Sequence, residues 1–224
     1  MTPRLFDPPT ETKMGAHALV LDIEQGSPEW LTARCGMPTA SRFNEIVTST
    51  GKPTSGDKRH SYLCELVGEL IGRTTTEHFQ TAAMEHGRML EPKARGWYAM
   101  TTGRTVEQVG FVMHDSRQWG ASPDGLVGDT SGIEIKCPLR KGFIKALLDK
   151  RTIPTAYVVQ VQAEMWICER QTWDFVLYSE DANMRPLIVP VGYDAKMHTA
   201  FDELLPAFCE ELKAAHERAL ERMQ

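Results

Sequence analysis

Apolar residues recur at helical spacing in "HSYLCELVGELIG", where Leu63, Leu66, Val67 and Leu70 fall on one face. A second helical pattern covers about 82–100, and Pro92 within it predicts a kink or a fresh helix start. Upstream, "GSPEWLTARCG" predicts a short helix, with Ser27 as N-cap, Pro28 at the first helical position and Gly36 as its stop. "TASRFNEIVTS" predicts another helix, starting near Thr39 or Ser41, and 50–58 predicts a turn-rich loop. Strand patterns follow in "RTVEQVGFVMH", "WGASPDGLVG" and "GIEIKCP". "RKGFIKALLDK" predicts a helix, as does "TAYVVQVQAEMWICER", whose length and phase outweigh its β-branched residues. "WDFVLYSE" and "PLIVPVGY" predict strands, and a long amphipathic helix from Asp194, bent near Pro206, closes the chain.

Helices, a strand group, a helix pair, two strands and a last helix predict a mixed α/β fold with a central sheet flanked by helices. No domain boundary interrupts 1–224, and 1–22 reads as a loose Pro-rich lead-in up to "ALVLDI". A 42% hydrophobic and 25% charged composition can bury a substantial core. No stretch is long and apolar enough for a bilayer, and the N-terminus lacks a secretory pattern, so a cytoplasmic protein is expected. The five cysteines (Cys35, Cys64, Cys137, Cys168 and Cys209) are scattered without a C-x-x-C pair. That argues against zinc, iron–sulfur clusters and disulfides, and for small buried apolar residues. His60, His78, His86, His114, His198 and His216 show no metal-ligand spacing. A net charge of −5 argues against broad electrostatic coating of DNA, though not against a local nuclease groove.

The anomaly is a pair of charges inside "GIEIKCP". Side chains alternate along a strand, so Ile133, Ile135 and Cys137 share one face while Glu134 and Lys136 share the other. Alone, E-x-K reads as a solvated strand face. Asp124 in "SPDG" changes this, because a hairpin would bring it beside Glu134. Two close carboxylates repel each other, and a divalent cation with a preference for hard oxygen ligands removes that cost. Lys136 would then orient and activate water held by the ion, or stabilise charge on an attacked phosphate.

P-D-G, a spacer and E-I-K resemble the PD-(D/E)xK nuclease signature. Further blocks narrow the resemblance: "GSPEWLTARCGMPTAS", "HGRMLEP", "SPDGLV", "EIKCP" and "AYVVQVQAEMW" occur in the order of the lambda-type (YqaJ-like) phage exonucleases. The resemblance runs from about Gln25 to Glu180. It implies a restriction-endonuclease-like core and a Mg²⁺-dependent 5′→3′ exonuclease on double-stranded DNA, serving phage recombination in a bacterial host. Asp124, Glu134 and the Ile135 carbonyl would bind metal, with Glu91 as a further acid and Lys136 assisting the nucleophile. Two ions are implied, Mg²⁺ with Mn²⁺ as a substitute.

On the candidate helix, Tyr157, Gln160 and Glu164 share a face. The resemblance puts Gln160 and Tyr157 near the attacking water and leaves Gln162 and Glu164 to structure. Arg34, Ser41 and Ser122 would grip a 5′-phosphate, a pairing of cation and hydroxyl suited to a phosphate. Lys52, Lys58 and Arg59 compete for the place of one more cation that the family uses there. Trp30, Trp97, Trp166 and Trp173 read as core or interface residues. A ring-shaped homotrimer and a single-strand annealing recombinase as partner also follow from the resemblance. A DNA endonuclease of the same superfamily and a non-cutting DNA-end binder are the alternative readings.

Overall fold

The computed structural model describes residues 9–76, 82–148 and 153–224. Its strands form two four-stranded sheets. The first is antiparallel throughout and runs β1 (Glu11–Lys13), β2 (Ala18–Leu21), β3 (Phe111–His114) and β4 (Gly120–Ala121). The second runs β5 (Gly125–Val127), β6 (Ser131–Lys136), β7 (Thr172–Leu177) and β8 (Leu187–Gly192). It is mixed: β6 and β7 are parallel, and the other pairs are antiparallel. Pro190 is tolerated in β8 because that strand is an edge.

The flanking helices are α1 (Pro28–Arg34), α2 (Asp57–Gly72), α3 (Ala82–Thr102), α4 (Arg140–Leu148), α5 (Thr155–Ile167) and α6 (Ala195–Arg222). Helix α1 is capped as its sequence predicts: Ser27 Oγ accepts from Trp30 N at 3.1 Å, and Gly36 takes a positive φ of 68° after the last turn. In α6, Met197, Phe201, Leu205, Phe208 and Leu212 form the buried stripe, packed on α2 and α5. None of the described helices is long and apolar enough to cross a membrane.

The structure departs from the sequence reading in several places. Residues 9–22 are not a loose lead-in, because β1 and β2 pair within them; 1–8 lie outside the described residues, as does His78. "TASRFNEIVTS" forms a 3₁₀ helix, Ala40–Glu45, rather than an α-helix. The β-branched Val47 beyond it bridges Pro53 instead of continuing the helix. "RTVEQVGFVMH" is a strand only over its last four residues, and "WGASPDGLVG" divides into β4 and β5 around Ser122–Asp124. Helix α3 continues through Pro92 instead of restarting there. Pro92 forfeits one helical hydrogen bond, but Leu90, Ala94 and Tyr98 on either side of it are buried and hold the helix to the sheet.

Strand β6 lies between two layers. Ile133 and Ile135, with Cys137 just beyond, pack against Leu90, Ala94 and Tyr98 of α3. Glu134 and Lys136 face the other way, under α5. Cys137, Cys168 and Cys209 are buried and Cys64 is exposed, with all five cysteines free of disulfides.

Candidate active site

The charged face of β6 is largely withdrawn from solvent: Glu134 is only 2% exposed and Lys136 is half-buried. Its carboxylate pairs with the Lys136 ammonium. Such burial is costly for both ions unless each is matched. The matching comes from α5. Tyr157, Gln160 and Glu164 line one side of that helix, as their spacing predicts. The Gln160 side-chain amide donates to Glu134 Oε1 at 2.7 Å and to Glu164 Oε1 at 2.9 Å. Lys136 Nζ lies over the Tyr157 ring, 4.8 Å from its centroid.

Asp124 arrives from the bend between β4 and β5. Gly125 pairs with Ile133 in the antiparallel register, so Asp124 stands across from Glu134. The bend is tight: a Cβ at Gly125 would sit 2.2 Å from Val106 Cγ1. Ile135 lies beyond the end of β5, and its N–H donates instead to Asp124 Oδ2 at 2.6 Å. The aspartate side chain thus replaces a missing β5 residue at the sheet edge. Helix α3 adds Glu91, which accepts from Arg95 Nη2 at 2.5 Å. Arg95 Nε donates to the Asp124 carbonyl at 2.9 Å, tying α3 to the bend.

The electrostatics follow from this crowding. Burial, then Glu134 and Glu91, raise the Asp124 pKa well above the usual carboxylate range, against the opposing effects of Lys136 and the Ile135 N–H. Burial alone would lower the Lys136 pKa, but Glu134 and Asp124 outweigh it and hold the side chain as an ammonium. Burial, with Asp124 and Glu91, pushes the neighbouring Cys137 thiol up to about 12. The centre therefore concentrates negative charge in a protein-lined recess and offers hard oxygen donors. That donor chemistry fits Mg²⁺ or Mn²⁺ rather than a softer ion.

A second cluster lies on α1 and the chain that follows it. The Arg34 guanidinium carbon stacks 3.9 Å from the Trp30 ring centroid, and Trp30 Nε1 donates to Ser122 Oγ at 2.9 Å. Arg34 Nη2 reaches Thr39 Oγ1 at 3.4 Å, and Thr39 Oγ1 is 3.4 Å from Ser41 Oγ. Arg34, Ser41 and Ser122 are thus linked through Trp30 and Thr39, neither of which the sequence singles out for this role. Arg34 forms no ion pair among the described residues. Burial lowers its pKa to about 10, against Tyr62 and Glu69, so it remains a cation. Arg59 pairs with Glu211 at 2.6 Å and Lys58 with Glu45 at 3.5 Å; neither contact joins the Arg34 cluster. For Lys52 the described contact is local, its N–H donating to Thr48 Oγ1 at 3.1 Å.

One further group was invisible to sequence spacing. His17, His114 and Asp115 place donor atoms within 4.8 Å of one another. His17 Nδ1 and Asp115 Oδ2 are 2.9 Å apart, and His114 Nδ1 accepts from Ser116 N at 3.1 Å. The nitrogen lone pair that a metal would need on His114 is therefore already engaged.

Comparison with known proteins places these features in a family. The model of the YqaJ-like viral recombinase domain matches residues 29–171, a span holding Arg34, Glu91, Asp124, Glu134, Lys136 and Gln160. An alkaline exonuclease from Laribacter hongkongensis, LHK-Exo, superposes with a TM-score of 0.78 at 34% identity, covering 88% of this chain and 98% of that one. Its complex with dAMP superposes with a TM-score of 0.79 over the same shares. A phage-related exonuclease from Haemophilus somnus 129PT shares the fold, with a TM-score of 0.61 at 16% identity, covering 84% of this chain and 96% of that one. The Escherichia coli (strain K12) protein ExoD is 33% identical over 64 residues, 28% of this chain and 74% of its own length.

Proposed function

The chain belongs to the YqaJ-like viral recombinase domain family, and from that footing we propose that it is a Mg²⁺-dependent 5′→3′ exonuclease on linear double-stranded DNA. It releases 5′-mononucleotides and leaves 3′ single-stranded tails for recombination. The observation that supports this most strongly is the buried Glu134–Lys136 face with Asp124 across from it. A solvated surface pair needs neither burial nor a second carboxylate, whereas a cation-dependent centre for phosphodiester hydrolysis uses both.

In this reading Asp124, Glu134 and the Ile135 carbonyl hold the cation, and Glu91, oriented by Arg95, supports them. A bound divalent cation supplies a lowered pKa for water and neutralises charge on the scissile phosphate. Lys136 stays protonated beside Glu134, so it stabilises developing negative charge and orients water rather than abstracting a proton. The Tyr157 ring keeps the ammonium in place. Gln160 presents its NH₂ to the oxygens of Glu134 and Glu164, and its carbonyl oxygen is left to receive water or substrate. Arg34, Ser41 and Ser122 bind the terminal 5′-phosphate, and a site that reads a terminus favours exonucleolytic over internal cutting.

A homotrimeric ring in the bacterial cytoplasm, working with a single-strand annealing recombinase, completes the proposal. Sedimentation at three chain masses checks the assembly, and a monomeric mass rejects it. The activity is tested with linear duplex labelled at one end, with and without a 5′-phosphate, in Mg²⁺ or EDTA. Expected are release of the 5′ label as mononucleotide in Mg²⁺, preference for the phosphorylated end, and protection in EDTA. Cutting of covalently closed circles would assign an endonuclease instead, and binding of ends without cutting would assign a binder.

A further inference from the structure

Glu164 is the one carboxylate of the centre that the preceding roles leave unexplained. It sits one helical turn beyond Gln160 on α5 and is 1% exposed. Its Oε1 accepts from Gln160 at 2.9 Å, while its Oε2 is shielded from solvent and has no hydrogen-bond partner. The same Gln160 amide spends its other hydrogen on Glu134 Oε1, at 2.7 Å. Glu164 is thus held next to the Glu134 side chain with one oxygen unsatisfied. A purely structural carboxylate in so enclosed a place would be expected to find donors for both oxygens, because an unmatched buried acceptor costs its full desolvation.

The charges around it point to what is missing. Glu91 is paired with Arg95 and Glu134 with Lys136. Neither Asp124 nor Glu164 forms an ion pair among the described residues. Both lie close enough to Glu134 to feel its charge, and Glu164 also feels Asp124. Two unpaired carboxylates match one divalent cation, and their oxygens are the hard donors such an ion prefers.

Resting on the nuclease reading above, we infer that Glu164 is a further cation-binding carboxylate of this centre, acting through its unsatisfied oxygen alongside Asp124 and Glu134. The role distinguishes it from Gln162 on the same helix. The Gln162 side chain is fully engaged in structure, donating to the Gly192 carbonyl at 2.8 Å and accepting from Asp194 N at 3.1 Å.

The test uses the whole protein without DNA. Mn²⁺ binding is measured by calorimetric titration for wild type, Glu164→Gln, Glu164→Asp and Asp124→Asn, and melting temperatures are recorded with and without the ion. Glu164→Gln is expected to weaken Mn²⁺ binding about tenfold or more, the scale of losing one supporting ligand. It should shrink the stabilisation given by Mn²⁺ and leave the metal-free melting temperature at or above that of wild type. Glu164→Asp should recover part of the affinity, because it restores a carboxylate on a shorter stem. If Glu164→Gln binds Mn²⁺ like wild type while Asp124→Asn does not, the inference about Glu164 is wrong and the centre stands. A lowered metal-free melting temperature with unchanged affinity makes Glu164 structural and also overturns the inference. If Asp124→Asn too binds Mn²⁺ normally, the underlying reading of the centre fails with it.

Discussion

Under the proposed function, Arg34 is the single side chain that would carry most of the end recognition. It is a partly buried cation whose direct contacts are an aromatic face and a hydroxyl, with no ion pair among the described residues. Trp30 fixes the guanidinium plane by stacking on it and, through its indole N–H, also holds Ser122. Arg34→Ala should therefore leave the cation centre intact but reduce the preference for 5′-phosphorylated ends. A charge-assisted hydrogen bond is worth about 1.5–3 kcal/mol, so the preference should fall roughly ten- to hundredfold. Competition between phosphorylated and hydroxyl ends measures it, and an unchanged ratio removes Arg34 from end recognition. Much of this scale is legible in the sequence. Alternation alone divides Ile133 and Ile135 from Glu134 and Lys136, and the structure keeps that division. Arg95 was not legible. An arginine four residues after Glu91 reads as an ordinary surface pair, and only the docking of α3 on the Asp124 carbonyl gives it a task.

Elements bring these residues together, and α5 does most of it. One side of the helix covers the charged face of β6, and Gln162 on another side fastens the start of α6. His198 Nε2 lies 3.1 Å from Gln162 Oε1, so that nitrogen carries a proton and donates. Burial lowers the His198 pKa to about 4, against the opposing charges of Asp202 and Asp194. An unfolded histidine titrates near 6.5, so between about pH 6.5 and 4 the unfolded chain binds the extra proton. Stability from this group is therefore present above pH 6.5 and is lost as pH falls toward 4. The loss by pH 4.5 is about 2–3 kcal/mol. Urea unfolding at pH 7.5 and 4.5 should show a smaller acid loss in His198→Gln than in wild type; equal losses would mean that His198 does not titrate as described. At this scale the sequence predicted α1, α2 and α6 well, because each has a cap or an apolar stripe of helical period, and α5 from its length and phase. It failed at Ala40–Glu45, where six residues tighten into a 3₁₀ helix and the following β-branched pair turns away. It also left open a kink or a fresh helix start at Pro92, where α3 runs on as one helix, because tertiary packing that offsets a lost hydrogen bond cannot be read from the proline alone.

For the molecule as a whole, two sheets meet at the bend that carries Ser122 and Asp124. That bend joins the Arg34 cluster to the acidic centre: Ser122 touches the first, and Asp124, two residues later, belongs to the second. Under the proposed function, end recognition and cutting would be coupled through three consecutive residues, which is why "SPDG" is more than a turn. The pairing of Asp124 with Glu134 was foreseeable from a hairpin, whereas the cover provided by α5 and the orphaned Glu164 oxygen depend on how distant segments pack. The central claim is that the buried charges of β6 perform the hydrolysis. Single-turnover release of the 5′-terminal nucleotide, compared between wild type and Lys136→Ala at equal occupancy of DNA ends, tests it most directly. The account predicts unchanged end binding with release slowed by at least about a hundredfold. Release at the wild-type rate from the Lys136→Ala protein would contradict it.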